Sequence, residues 1–118
     1  MITVRNLHQY SEQEVFDYIA NHLLTQNKQA RLADGSECAY RTEGGLKCAA
    51  GCLIPDDLYK PEFEGKGYRG LVAIEHFDST HRDLIHRLQI LHDDNQPEKW
   101  ANELRDLALN LRLEFTQK

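Results

Sequence analysis

The chain lacks most of the features that announce a chemistry. It contains no CxxC and no HxxxH pair, the spacings at which a tight turn or one helix face offers two ligands to a zinc ion. It contains no GxxxxGK[ST] phosphate loop. Its longest apolar run, Cys48–Ile54 (CAAGCLI), falls far short of the ~20 residues of a membrane span. The N-terminus, MITVRNLHQYSEQE, has no apolar h-region and meets acids early, which speaks against a secretory signal. Positive charge is in deficit: 14 Lys and Arg against 19 Asp and Glu leave a net charge of −5. Nucleic acid is therefore an unlikely partner, because phosphate binding needs a basic face that releases counterions. The acidity is also too modest for a carboxylate surface that imitates DNA. Cysteine is scarce and odd in number, at three. A disulfide framework would leave one thiol over, so reduced thiols in a cytoplasm are the simpler expectation.

What is present suits one globular domain spanning residues 1–118, with no repeat and no composition shift to mark a boundary. Ser11-Glu12-Gln13-Glu14 is a capping box, flanked by Tyr10 and Val15 as a hydrophobic staple. Val15, Phe16, Ile19, Ala20, Leu23 and Leu24 follow at helical spacing, which predicts a helix over 12–26. Leu84, Ile85, Leu88 and Leu91 predict a second over 81–93, capped by Ser79 or Thr80. Trp100, Leu104, Leu107, Ala108 and Leu111 predict a third over 97–113, with Pro97 at its first position. Residues 71–77 lean towards helix, and 61–70 reads as a loop.

The Cys segment, 35–59, is different in kind. Cys38–Ala49 reads as a β-hairpin around Thr42-Glu43-Gly44-Gly45. A three-residue loop with Gly44 in the left-handed region would set Tyr40 opposite Leu46 and Cys38 opposite Cys48. The expected fold is thus α+β: mainly helical, with one small hairpin.

Three blocks of this chain look familiar together: CAYR (38–41), GLKCAAGCLIPDDLYKPEFEG (45–65), and LQILHDD (88–94) followed by Trp100 and Leu104. They resemble small uncharacterised proteins of bacteriophages and prophages over residues 36–110. The resemblance implies a bacterial cytoplasmic setting and no mechanism. Phage accessory proteins of this size often act by binding host or defence proteins, so it also implies a non-catalytic role in binding a host or phage protein, by analogy alone.

Each candidate chemistry has a structural rival. Cys38, Cys48 and Cys52, with a histidine, would make a zinc site, but C-x9-C-x3-C is not a common zinc pattern and buried thiols pack as small hydrophobes. No cofactor is favoured; zinc is the alternative. Cys48 before Ala-Ala-Gly is a candidate nucleophile at a helix start, without a hydrolase signature around it. Gly65–Gly70 matches GxGxxG but follows no strand, so a dinucleotide site is rejected. His92-Asp93 is too short of companion ligands for a phosphohydrolase. Asp93 and Asp94 at the negative end of a helix break a local rule, and turn chemistry is the favoured explanation. The remaining signal is a cluster of aromatic and basic residues. Tyr59, Phe63 and Tyr68 are expected as anchors of a binding surface on the glycine-rich loop, with Lys66 and Arg69 steering an acidic partner. The function expected is a macromolecule-binding module, with a small metal- or thiol-dependent enzyme as the alternative.

Overall fold

The computed structural model describes residues 1–32 and 38–115. Four helices carry the fold: α1 (Glu12–Gln26), α2 (Tyr68–Glu75), α3 (Arg82–Asp94) and α4 (Pro97–Leu111). Short 3-10 turns at Leu7–Gln9, Gly51–Leu53 and Pro61–Phe63 bend the connections. No β-strand occurs among the described residues, so the fold is all-α and the α+β expectation is overturned. No helix among them is long and apolar enough to cross a membrane.

The expected hairpin is reduced to a loop with one antiparallel bridge, Arg41 to Lys47. Side chains and a following turn remove its other rungs. Thr42 N–H donates to Leu46 O (2.9 Å) and Cys48 N–H to Tyr40 O (3.3 Å). The two return bonds are missing. Tyr40 N–H donates instead to Glu64 Oε1 (2.8 Å), and Cys48 O accepts from Cys52 N–H (3.2 Å). At the other end Leu46 N–H is taken by the Thr42 hydroxyl (3.1 Å), while Thr42 O accepts from Gly45 N–H (3.0 Å). The register is also shifted by two residues from that expected. Tyr40 lies across from Cys48, Cys38 bridges to Arg31, and Gly45 rather than Gly44 holds positive φ (+89°).

The helices follow the pattern of the sequence. α1 has its capping box in full: Glu14 N–H donates to Ser11 Oγ (3.1 Å) and Ser11 N–H to Glu14 Oε1 (2.9 Å). α2 begins at Tyr68, inside the stretch expected as loop. α3 packs against the other three helices, and α1 also packs on α4. Its start differs from expectation. Neither Ser79 nor Thr80 caps it; His81 stands at the cap in the left-handed region (φ 61°), held by Nε2–H donating to Tyr10 O (2.7 Å). Asp78 organises the preceding turn, accepting from Thr80 N–H (3.0 Å), Thr80 Oγ–H (2.7 Å) and His8 N–H (2.7 Å). Ile19, Leu23, Leu88, Leu104 and Trp100 form the fully buried centre, while Leu111 is only half-buried.

One close approach fixes how the Cys segment folds on itself. Gly51 lies so close to the Tyr40 carbonyl that a Cβ there would stand 1.9 Å from its oxygen. Gly51→Ala is therefore expected to cost about 1–3 kcal/mol or more through forced backbone movement. Leu88→Ala is expected to cost about 2–5 kcal/mol. Urea denaturation of both variants checks this, and a loss below about half a kcal/mol for either contradicts the packing described.

A second expectation concerns acid. Burial pushes the Asp78 carboxyl up, but hydrogen bonds from Thr80 and His8 outweigh it and hold the group well below its ordinary 3.8. A folded-state pKa below the unfolded one stabilises above the unfolded value and is lost as pH falls. Stability should therefore drop below pH 3.8, and Asp78→Asn should flatten that drop. Melting curves from neutral pH down to pH 2, roughly the end of the carboxylate range, measure it.

Candidate functional site

The C-terminal half of α3 presents Gln89, His92 and Asp93 at i, i+3 and i+4, positions that share one helical face. The chain on either side of the Cys-segment loop lies across from them. Gln89 Oε1 accepts from Ala50 N–H (2.9 Å), and Gln89 Nε2–H donates to Asp93 Oδ1 (2.8 Å). The same Oδ1 is 2.7 Å from His92 Nδ1. His92 Nε2 accepts from Ala30 N–H (3.1 Å). An amide hydrogen can only be donated, so Nε2 is the unprotonated nitrogen and the neutral ring carries its proton on Nδ1, donating to Asp93. The ring is fully buried and stacked on Trp100, with centroids 5.4 Å apart and planes at 28°. Gln29 closes the negative end of α3, donating to His92 O (2.9 Å) and Asn95 O (2.9 Å). This cap answers the local rule violation at Asp93 and Asp94 by giving the orphan carbonyls donors.

Cys38 joins the same group. One ligand-capable atom from each of Cys38, His92 and Asp93 lies within 4.8 Å of the others. Burial pushes the Cys38 thiol up from 9.0 to about 11, with the Asp93 carboxylate adding to the shift and Arg31 opposing it. The other two thiols do not reach the group. Cys48 is fully buried and its sulfur accepts from Gly51 N–H (3.3 Å); burial pushes that thiol upward as well. Cys52 S–H donates to Ala49 O (3.1 Å), and burial raises it to about 12. The grouping of Cys38, Cys48 and Cys52 around one ion is therefore corrected: the cluster takes one cysteine, with His92 and Asp93.

The loop residues expected at a surface are divided between core and solvent. Phe63 and Tyr68 are each 1 % exposed. Phe63 sits edge-on between Tyr59 and Phe77, at 6.0 Å from each. Tyr59 is half-buried, donates to Glu64 Oε2 (2.6 Å), and lies 4.6 Å beneath the Arg41 guanidinium. Arg69 is exposed and paired with Asp83 (3.0 Å). The aromatics therefore close the core, because a small domain has few other large apolar groups to fill it, and they do not form exposed anchors. Of the five, Lys66 is exposed and its ammonium has no partner among the described residues.

Lys66 borders a cleft of about 440 Å³ between the Cys segment and α3. Arg31, Tyr40, His86, Gln89, Ile90 and Asp93 complete most of its wall. Tyr40 forms one side, with its hydroxyl donating to Lys66 O. Of the lining residues, Cys38, Cys48, Lys66, Tyr68 and Asp93 stand out in the sequence as candidates, and Arg31, His86 and Ile90 do not. Gln89 gave one faint signal, its i, i+4 spacing to Asp93.

No family model matches the chain, and no curated protein or solved structure is significantly similar to it.

His92→Phe keeps the ring that stacks on Trp100 and removes both of its hydrogen bonds. Ala30 N–H is then buried without a partner, at about 1–3 kcal/mol, while Asp93 Oδ1 keeps its bond from Gln89. The expected outcome is a folded but destabilised protein, with hydrogen exchange at Ala30 accelerated most. Unchanged exchange at Ala30 contradicts the bond.

Proposed function

We propose that this protein is a non-catalytic binding module. In this reading it is a phage or prophage accessory protein that engages a host or phage protein in the bacterial cytoplasm. It docks through the cleft between the Cys segment and α3. One observation carries the reading: the His92–Asp93 pair and the three thiols, the groups whose clustering suggests a chemistry, are engaged in holding the fold or buried. Both ring nitrogens of His92 have partners, and Asp93 Oδ1 accepts from Gln89 and His92. A nucleophilic or metal-binding thiol must ionise, and all three thiols are pushed up by burial. Cleft volumes of a few hundred Å³ suit ligand or side-chain capture.

The proximity of Cys38, His92 and Asp93 favours a second reading, a zinc site in a small metal-dependent enzyme. The tautomer of His92 counts against it. A zinc ion on Nδ1 would displace the proton that this nitrogen carries, while Nε2 still faces the Ala30 amide hydrogen. The ring would have to become an imidazolate or release Ala30.

Elemental analysis and alkylation at pH 7 separate the readings. The binding module is expected to hold no stoichiometric zinc and to react through its thiols far more slowly than free cysteine. Tagged protein should capture a partner from bacterial lysate, and Ile90→Asp should abolish capture without shifting the melting temperature. Stoichiometric zinc, a fast-reacting thiol, or capture indifferent to Ile90→Asp overturns the proposal.

A further inference from the structure

We infer that the cleft recognises an acidic segment of the partner protein, with an apolar side chain set on Ile90 and a carboxylate on Lys66. The inference rests on the binding reading above and names the chemistry of its partner. The argument is one of local charge against global charge. The chain carries −5 overall, yet the cleft is bordered by Arg31 and Lys66, with His86 as a further donor. Asp93 is the one carboxylate among its described lining residues, and its Oδ1 already accepts from His92 and Gln89. Lys66 is exposed, and no described residue pairs with its ammonium. Arg69, its neighbour in the sequence, is engaged by Asp83 and adds little field of its own.

The backbone adds to the same sign. The end of α2 that borders the cleft, at Gly67 and Tyr68, is its N-terminus, the positive end of the helix dipole. No acidic side chain stands in its first turn and no side chain caps it. Tyr68, also lining the cleft, is buried, and its hydroxyl has no acceptor among the described residues. The apolar element is Ile90, 44 % exposed on the opposite wall. A carboxylate next to an apolar residue is the combination that meets both walls, and interfacial charge pairs of this kind set partner choice.

Amide chemical-shift titration of the full chain tests this. The probe is a short blocked peptide of alternating glutamate and leucine, with the glutamine–leucine peptide as control. Saturable shifts are expected at 65–68 and 89–93 with the acidic peptide alone. Lys66→Glu should weaken them about tenfold and turn the preference towards a lysine–leucine peptide. Equal binding of the glutamine peptide, or no saturable shift, overturns the inference. So does saturation of the same amides at the same concentration by free glutamate or inorganic phosphate, which would mark a small-anion site. The two proposals fail separately. If the acidic peptide is silent while Ile90→Asp still abolishes partner capture, the charge inference falls and the binding reading stands. If capture is also indifferent, both fall.

Discussion

Both ring nitrogens of His92 are engaged, and through them α3 holds the chain that enters the Cys segment. A buried imidazole that accepts from one backbone amide and donates to a neighbouring carboxylate has no freedom left to change tautomer. Gln89 extends the same connection to Ala50, so the chain before the Cys segment and a point within it are tied to one helix face by side chains three residues apart. The Trp100 ring covers the imidazole and its indole N–H donates to Asn95 O (3.0 Å), which fixes the start of α4 to the end of α3. A network of this kind is stabilising only when every member is satisfied, since in a low dielectric an orphaned member costs more than its bond contributes.

The same economy of partners explains why a segment that reads as a hairpin is not one. β-Ladders need free backbone groups on both strands. Here Glu64 takes the amides of Tyr40 and Arg41, at 2.8 and 3.3 Å, and Gln26 takes that of Lys47, at 2.9 Å. Lys47 O is shared by His22 and Gln26. The loop is thus anchored to α1 on one side and to the turn at 61–64 on the other. Side chains from distant parts of the chain replace the ladder, and the region becomes an irregular layer over a helical core.

For function, the consequence is a division between held and free groups. The residue types most suggestive of chemistry, three thiols and a His-Asp pair, lie on the held side. The free groups are simpler: the Lys66 ammonium, the half-covered Ile90 and the exposed N-terminus of α2, gathered around one cleft. Recognition needs no more than these, whereas catalysis needs a group able to change its protonation or coordination.

Residues whose partners are close in the chain were legible from the start. The capping box of Ser11 and Glu14, the apolar stripes of α1, α3 and α4, and the opening of α4 at Pro97 depend on spacings of three and four residues, and each appears where the pattern puts it. The tertiary structure decided whatever depends on a partner far away. The loss of the ladder follows from Glu64 reaching Tyr40, and the tautomer of His92 from an amide 62 residues earlier. The inward turn of Phe63 and Tyr68 follows from packing among aromatics that no local period encodes. Local spacing constrains backbone hydrogen bonds directly; long-range contacts are chosen only when the chain closes on itself and each buried polar group must find a partner there.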